Sequence, residues 1–330
     1  MTERAEARRL DLVVVGDCNP DVLVLGDDVT PSFGQQEKLV EGIWMVVGGS
    51  AAITAVAAAR LGLRVELVAA VGADPAGDFM LGQLSREGVG TAAVAVRDGA
   101  PTGMTVALSR GADRAILTAV GAVASLTARD IPATLLAQAR HVHVSSYFLL
   151  EHSLAPGLAA VLADARAAGA TTSLDTNWDP AGKWGDEHLS ASLAQTDVLL
   201  PNETEAVRIA GEPTLPAAVG ALTAAGHRLV VKLGERGALC ADGPVWHRAE
   251  LPPVTPVDAT GAGDGFNAGL ITGLLRGLAL PDAAALGCAV GALSTRAAGG
   301  TASCPDLASA LALARDATVR RVGAGMASSW

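Results

Sequence analysis

DATGAGDGFNAGL, residues 258–270, places three glycines and two aspartates within eight positions and then runs into small apolar residues. The preceding PPVTPVD (252–258) reads as a strand and the following FNAGLITGLL (266–275) as an apolar helix, so the glycines fall on a strand-to-helix turn. Such a turn leaves backbone N–H groups unpaired at the positive end of a helix, which makes it an anion site. Glycine matters because a side chain would keep a phosphoryl group from the backbone. Asp264 falls in the first helical turn, where the helix dipole favours its ionised form. A carboxylate beside such amides suits phosphoryl transfer to an alcohol: Asp264 takes the hydroxyl proton while Gly261, Ala262 and Gly263 stabilise charge on the moving phosphate. The plainer reading is that Asp264 only supports the helix start and the glycines only let the chain turn.

Two familiar nucleotide motifs are excluded. A P-loop needs Gly-Lys-Ser/Thr, and none of Lys38, Lys183 and Lys232 sits in that pattern. The dinucleotide fingerprint needs Gly or Ala where Phe266 stands, and it comes too late in the chain.

Outward from the turn, short β-branched runs alternate with Ala-rich stretches: LVVVG (12–16), VELVAAVG (65–72), HVHVSS (141–146), TTSLD (171–175), DVLLP (197–201) and LVVKLG (229–234). The alternation predicts an α/β fold with a mainly parallel central sheet and helices on both faces. Helices are expected at 51–61, 154–168, 203–210, 216–225, 263–276 and 281–297. Residues 21–47 and 93–120 break the pattern with strand and turn signals. Each reads as a hairpin, the second across Gly111-Ala112-Asp113, and together they predict a small β-sheet lid. No linker or repeat appears, so 1–330 reads as a single domain with fraying at 1–9 and about 320–330.

The chain has 330 residues, half of them hydrophobic, enough for a large core. Its formal charge of −10 argues against nucleic-acid or acidic-membrane partners. Cys18, Cys240, Cys288 and Cys304 lack CxxC spacing and read as buried thiols in a reducing, cytoplasmic compartment. MTERAEARRL is neither a signal nor a transit peptide. The uncharged run 43–59 contains Gly48-Gly49 and reads as strand, turn and buried helix rather than a membrane span. His141 and His143 share a strand face without neighbours to complete a zinc site, so their role is structural.

With these motifs in place the chain resembles the ribokinase-like, or PfkB, carbohydrate kinases. VGGSAAITAVAAARLG (47–62) resembles that family's first signature and DATGAGDGF its second; GDCNPD (16–21), TG (102–103), DTN (175–177), PNETE (201–205) and KLGERG (232–237) fall in order around them. The resemblance implies a three-layer α/β/α fold and ATP-dependent transfer to a primary hydroxyl of a sugar, with Mg2+ and K+ as cofactors and a homodimer formed through the lid. It makes Asp264 the catalytic base and Gly261, Ala262 and Gly263 the anion hole. Asn202, Lys232, Gly234 and Gly237 fall to the nucleotide, and Glu205 to water around magnesium. Asp258 and Thr260 fall to a monovalent cation completed by carbonyls of 294–303. Asn19, Asp21, Gly48, Gly49 and Asn177 fall to the acceptor.

Plain alternatives stand beside these roles. Asn202 to Glu205 has capping-box spacing, and KLGERG suits an ordinary hairpin. Tyr147 and Phe148 offer aromatic surface to a ring or pack in the core. Ile53 stands where relatives carry Asn, which weakens ribose as the acceptor. Asp179 stands where some carry an anion-holding Arg, which disfavours a phosphorylated one. A nucleoside kinase, or a non-catalytic sugar- or nucleotide-binding protein of the same fold, are the competing functions.

Overall fold

The computed structural model describes residues 10–110 and 113–323. Its strands are β1 (Leu10–Val15), β2 (Asn19–Leu25), β3 (Gly42–Gly48), β4 (Val65–Gly72), β5 (Val94–Arg97), β6 (Met104–Arg110), β7 (Asp113–Ala119), β8 (Ala139–Val144), β9 (Thr171–Leu174), β10 (Val198–Leu199), β11 (Leu229–Lys232), β12 (Ala238–Asp242), β13 (Val245–Glu250) and β14 (Thr318–Val322). Its α-helices are α1 (Ser50–Arg60), α2 (Pro75–Arg86), α3 (Ala133–Leu136), α4 (Ala155–Ala167), α5 (Glu187–Leu193), α6 (Glu203–Ala210), α7 (Leu215–Ala224), α8 (Ala262–Leu275), α9 (Leu280–Ser294) and α10 (Leu307–Ala314).

The large sheet runs β14-β13-β12-β11-β10-β9-β8-β1-β4-β5. It is parallel from β5 to β11 and antiparallel through β12, β13 and β14. Alternation along β1 divides the core. Leu12 and Val14 pack with α1 and α8 on one face, while Val13 and Val15 pack with α4 on the other. Each such fully buried aliphatic side chain contributes roughly 1.5–3 kcal/mol relative to exposure.

The small sheet runs β3-β2-β6-β7, with β2 and β6 parallel and both outer pairs antiparallel. Val94–Arg97 is not part of it. That segment pairs with β4 at the edge of the large sheet, because it directly follows α2 and returns beside the strand that preceded it. Of the expected turn at 111–113, Gly111 and Ala112 lie outside the described residues, as do 1–9 and 324–330 of the expected frayed ends. Thr318–Val322, which overlaps the expected frayed end from residue 320, instead pairs with β13.

PPVTPVD is not a strand. Its three prolines remove ladder donors, and the segment is irregular, tied down where Val257 and Asp258 donate to the Thr295 carbonyl at 2.7 and 3.0 Å. The unexpected α2 carries ordinary start signals: Asp74 caps the Gly77 amide at 2.9 Å, and Pro75 opens the helix.

All four cysteines are buried and free. His141 and His143 are buried in a hydrogen-bonded ladder, Thr171–His141–Ser173–His143–Ser145, with links of 2.7 to 2.9 Å. Burial holds both imidazoles neutral, at about 3 and about 4. Among the described residues no helix is long and apolar enough to cross a membrane.

Candidate active site

The site is built on two glycine turns, each opening a helix over the same end of the large sheet. Gly261 adopts a left-handed conformation at the N-cap of α8, with φ of 73°. A Cβ there would lie 2.6 Å from Gly300 Cα, so only glycine fits. Among the described residues no side chain caps α8. Of the expected amides, that of Ala262 donates to the Ala259 carbonyl at 3.2 Å; among the described residues those of Gly261 and Gly263 have no acceptor.

Asp264 is 8% exposed and turned toward the sheet. Burial first, then the nearby Asp175, pushes its carboxyl up to about 8; Asp17 adds to the rise, while Lys232 and a hydrogen bond from Ser50 oppose it. The helix dipole therefore does not set this ionisation, as its position had led us to expect. Desolvation inside a ring of carboxylates outweighs the partial charge of one helix end.

Ser50 links the two turns. Its hydroxyl accepts from Asn177 Nδ2 at 2.7 Å and stands close enough to Asp264 to favour the ionised carboxylate. Asn177, left-handed at φ of 54°, also donates to Ser146 Oγ at 2.9 Å. At the α1 start, Asp17 accepts from the Ser50 and Ala51 amides, both at 3.0 Å. A Cβ on Gly48 would overlap the Asp21 carboxylate, and one on Gly49 would stand 2.9 Å from the Asp17 carbonyl oxygen and 3.1 Å from Asn19 Oδ1. The paired glycines thus admit the protein's own polar groups. Asn19 bridges Asp21 Oδ1 at 3.3 Å and Thr105 Oγ1 of the small sheet at 3.2 Å.

Beneath α8, Lys232 ends β11 and ion-pairs with Asp175 at the end of β9. Asn267, one turn after Asp264, donates to the same Asp175 oxygen at 2.6 Å. Burial disfavours the Lys232 charge, but Asp175 and Glu205 more than restore it, so its ammonium is held above the ordinary range. Glu205 is pushed up to about 7 by burial and then by Asp175.

The capping box at α6 is fully formed: Glu205 N–H donates to Asn202 Oδ1 at 2.9 Å and Asn202 N–H to Glu205 Oε2 at 2.8 Å. KLGERG is the connection between β11 and β12. Gly237 is required there because a Cβ would overlap the Ala249 carbonyl, whereas Gly234 faces open space. Asp258 accepts from Thr260 N–H and Oγ1 at 2.9 and 2.7 Å and from Gly299 N–H at 2.8 Å, tying the glycine turn to the loop after α9.

Other sequence candidates lie elsewhere. Tyr147 and Phe148 are core residues stacked edge to face, with the Tyr147 hydroxyl donating to Asp186. Asp179 caps the Ala181 and Trp184 amides, and Lys183 faces Glu151 at 3.8 Å. Ile53 is buried against Gly300 and Gly261, an apolar support for the turn. Asp17, Ser50, Ser146, Asp175 and Asn267 meet here although sequence reading gave them no committed role. Asp17 in GDCNPD, Ser50 in VGGSAAITAVAAARLG and Asp175 in DTN stood inside the motifs that carry the family resemblance; Ser146 and Asn267 did not.

Residues 9–307 match the pfkB family carbohydrate kinase profile. The 2-dehydro-3-deoxygluconokinase of Bacillus subtilis (strain 168) is 33% identical over 272 residues, covering 77% of this chain and 82% of that protein. The ribokinase of Haemophilus influenzae (strain ATCC 51907 / DSM 11121 / KW20 / Rd) is 28% identical, covering 90% and 96%. The solved structure of a putative ribokinase II from E. coli in complex with ATP and Mg2+ superimposes with a TM-score of 0.81 at 23% identity, covering 93% of this chain and 99% of that one. The fold is therefore ribokinase-like: a large, mostly parallel sheet flanked by helices, with a smaller separate sheet. The chain belongs to the pfkB family of carbohydrate kinases, and it is a sugar kinase.

Proposed function

We propose that this kinase transfers the γ-phosphoryl group of ATP to a primary hydroxyl of a ribose-like or related sugar, with Asp264 as general base. The observation that carries the reading is Asp264 itself, buried at the uncapped start of α8 beside Ser50. Asp264 accepts the hydroxyl proton. The open amides of Gly261 and Gly263 meet charge on the transferred group, and the bond to the ADP oxygen breaks with its electron pair.

Asn19, Asp21 and Asn177 hold acceptor hydroxyls beside Gly48 and Gly49, while Asn202, Lys232 and the 234–237 backbone lie toward the nucleotide. Among the described residues no group of three or more His, Cys, Asp or Glu is assembled to hold a metal. Mg2+ therefore fits as an ion carried on ATP phosphates and water, with Glu205 the carboxylate placed to order that water. When bound, it supplies charge neutralisation. Asp258 and Thr260, with carbonyls of 294–303, are the residues for a monovalent cation such as K+.

The small sheet acts as a lid that excludes water, and its exposed Ile43, Trp44, Met45, Ile116 and Leu117 suit a homodimer contact. Light scattering that finds only monomer at micromolar concentration would remove the dimer.

ADP release measured over a panel of sugars and nucleosides tests the reading and identifies the acceptor. Asp264→Asn should fold, bind ATP and lose at least about 10³-fold in turnover, as expected for loss of a base with its electrostatics. Turnover near that of the unaltered enzyme would sink the mechanism.

A further inference from the structure

Resting on that reading, we propose that Lys232 is a further catalytic residue whose ammonium, stationed on Asp175 at the Gly263 turn, donates hydrogen bonds to the phosphoryl group in transfer. Asn267 is a positioning residue that fixes Asp175 for this purpose.

Of the three lysines in the chain, Lys232 alone is buried, with a side chain 13% exposed against 35% for Lys38 and 61% for Lys183. Its location is specific. Nζ and Cδ lie 3.7 and 3.9 Å from the point a Gly263 Cβ would occupy, beside the Gly261 and Gly263 amides, which have no acceptor among the described residues. Helix amides offer only partial charges, whereas a triphosphate brings full ones, so a cation at this turn supplies what the turn lacks. Lysine suits the task because one ammonium carries three donors on a flexible stem and can keep Asp175 while reaching an oxygen of the ligand.

Asn267 supplies a second, independent observation. It is fully buried, spends Nδ2 on Asp175 and leaves Oδ1 with no partner. An orphaned buried acceptor is unfavourable, and an apolar residue would fill the helix interior without it. Stability likewise gives little reason for a buried Lys–Asp pair, since apolar pairs of similar volume serve as well or better. Both features are accounted for when Asp175 must be held rigidly as the station of a working cation.

The step balances without another reactant. The acceptor oxygen bonds to the γ-phosphorus, its proton passes to Asp264, and the bond to the β,γ-bridging oxygen breaks toward ADP. Lys232 keeps its proton throughout.

The test is Lys232→Met, with calorimetric affinities for Mg·ADP and for a non-hydrolysable Mg·ATP analogue, and turnover with a sugar that supports ADP release. The variant leaves Asp175 buried without its cation and should melt several degrees or more below the unaltered protein, while turnover falls about 100-fold or more with acceptor KM changed less than threefold. Its preference for the triphosphate over ADP should fall at least tenfold. Lys232→Arg should recover part of both, and Asn267→Leu should lower turnover about tenfold with a smaller loss of preference. Lys232→Met retaining turnover within threefold, or an unchanged triphosphate preference, would overturn the proposal. If that variant does not fold, Lys232→Gln, which keeps a donor to Asp175 but no charge, is judged by the same two readings. A wild-type protein that phosphorylates nothing in the panel would sink the kinase mechanism alone, because the affinity ratio still decides the role of Lys232.

Discussion

The helix starts of α1 and α8 share glycine turns and a nearby aspartate, yet they are chemically opposite. At α1 the Asp17 carboxylate fills the amides of Ser50 and Ala51, so the positive helix end is already neutralised from within. At α8 no side chain among the described residues caps the turn, and the aspartate of that segment stands beside Ser50 instead. Identical backbone physics therefore yields a filled helix start in one place and an open one in the other. What separates them is whether a carboxylate folds back onto the amides.

The sharpest way to break this contrast is Asp264→Asn, whose turnover should fall by three or more powers of ten while its stability responds in the opposite sense. The folded-state value of about 8 lies above the ordinary 3.8, so folding favours the protonated acid. That stabilisation is complete below 3.8 and is lost as pH rises through about 8. Asp264→Asn should accordingly gain in melting temperature over the unaltered protein between pH 5 and pH 9; a constant difference would contradict the buried-acid picture.

The next effect is on the pH profile. With Asp264 surrounded by Asp175, Asp17, Lys232 and the Ser50 hydroxyl, kcat/KM should fall about tenfold per unit below pH 8, reporting one ionisation of the free enzyme. A flat profile from pH 6 to 8 would remove Asp264 as the base.

Gly263→Ala sharpens the comparison further. The added Cβ meets only ordinary contacts with Lys232, so helix stability should hold or rise by about 0.5–1 kcal/mol. It would nevertheless project over the open amides, and kcat/KM should drop at least tenfold. Full activity in this variant would mean that no phosphate approaches the turn.

The smallest effect belongs to the filled helix start. Asp17→Ala should lower stability by about 1–2 kcal/mol in urea denaturation, the size of a lost cap. A larger fall in turnover than in stability would show that Asp17 also serves the reaction through Ser50.

Much of this architecture was legible locally. The β-branched runs that became β1, β4, β8, β9, β10 and β11 lie where their composition put them, because parallel strands buried on both faces need continuous apolar sequence. α2 went unread despite Asp74 and Pro75, since Gly77 and Gly82 dilute the helical pattern. PPVTPVD misled through valine and threonine, although its prolines argued against a ladder. Within the site, Asp264, the 261–263 turn, Asn202, Glu205 and Lys232 could be marked in advance because each sits in a compact motif. Asp17 on the amides of Ser50, Asn267 on Asp175 and Ile53 under Gly261 could not, because each partnership joins residues far apart in the chain.

By itself the sequence determined the alternating α/β order, the glycine turn before a late helix and the acid within it, all of which follow from short-range steric and hydrophobic patterns. Only the tertiary structure decided which helix start stays open, which lysine stands beside it and whether its aspartate is ionised. Those outcomes depend on burial and on charges brought together across the sheet, and no local pattern encodes the distance between them.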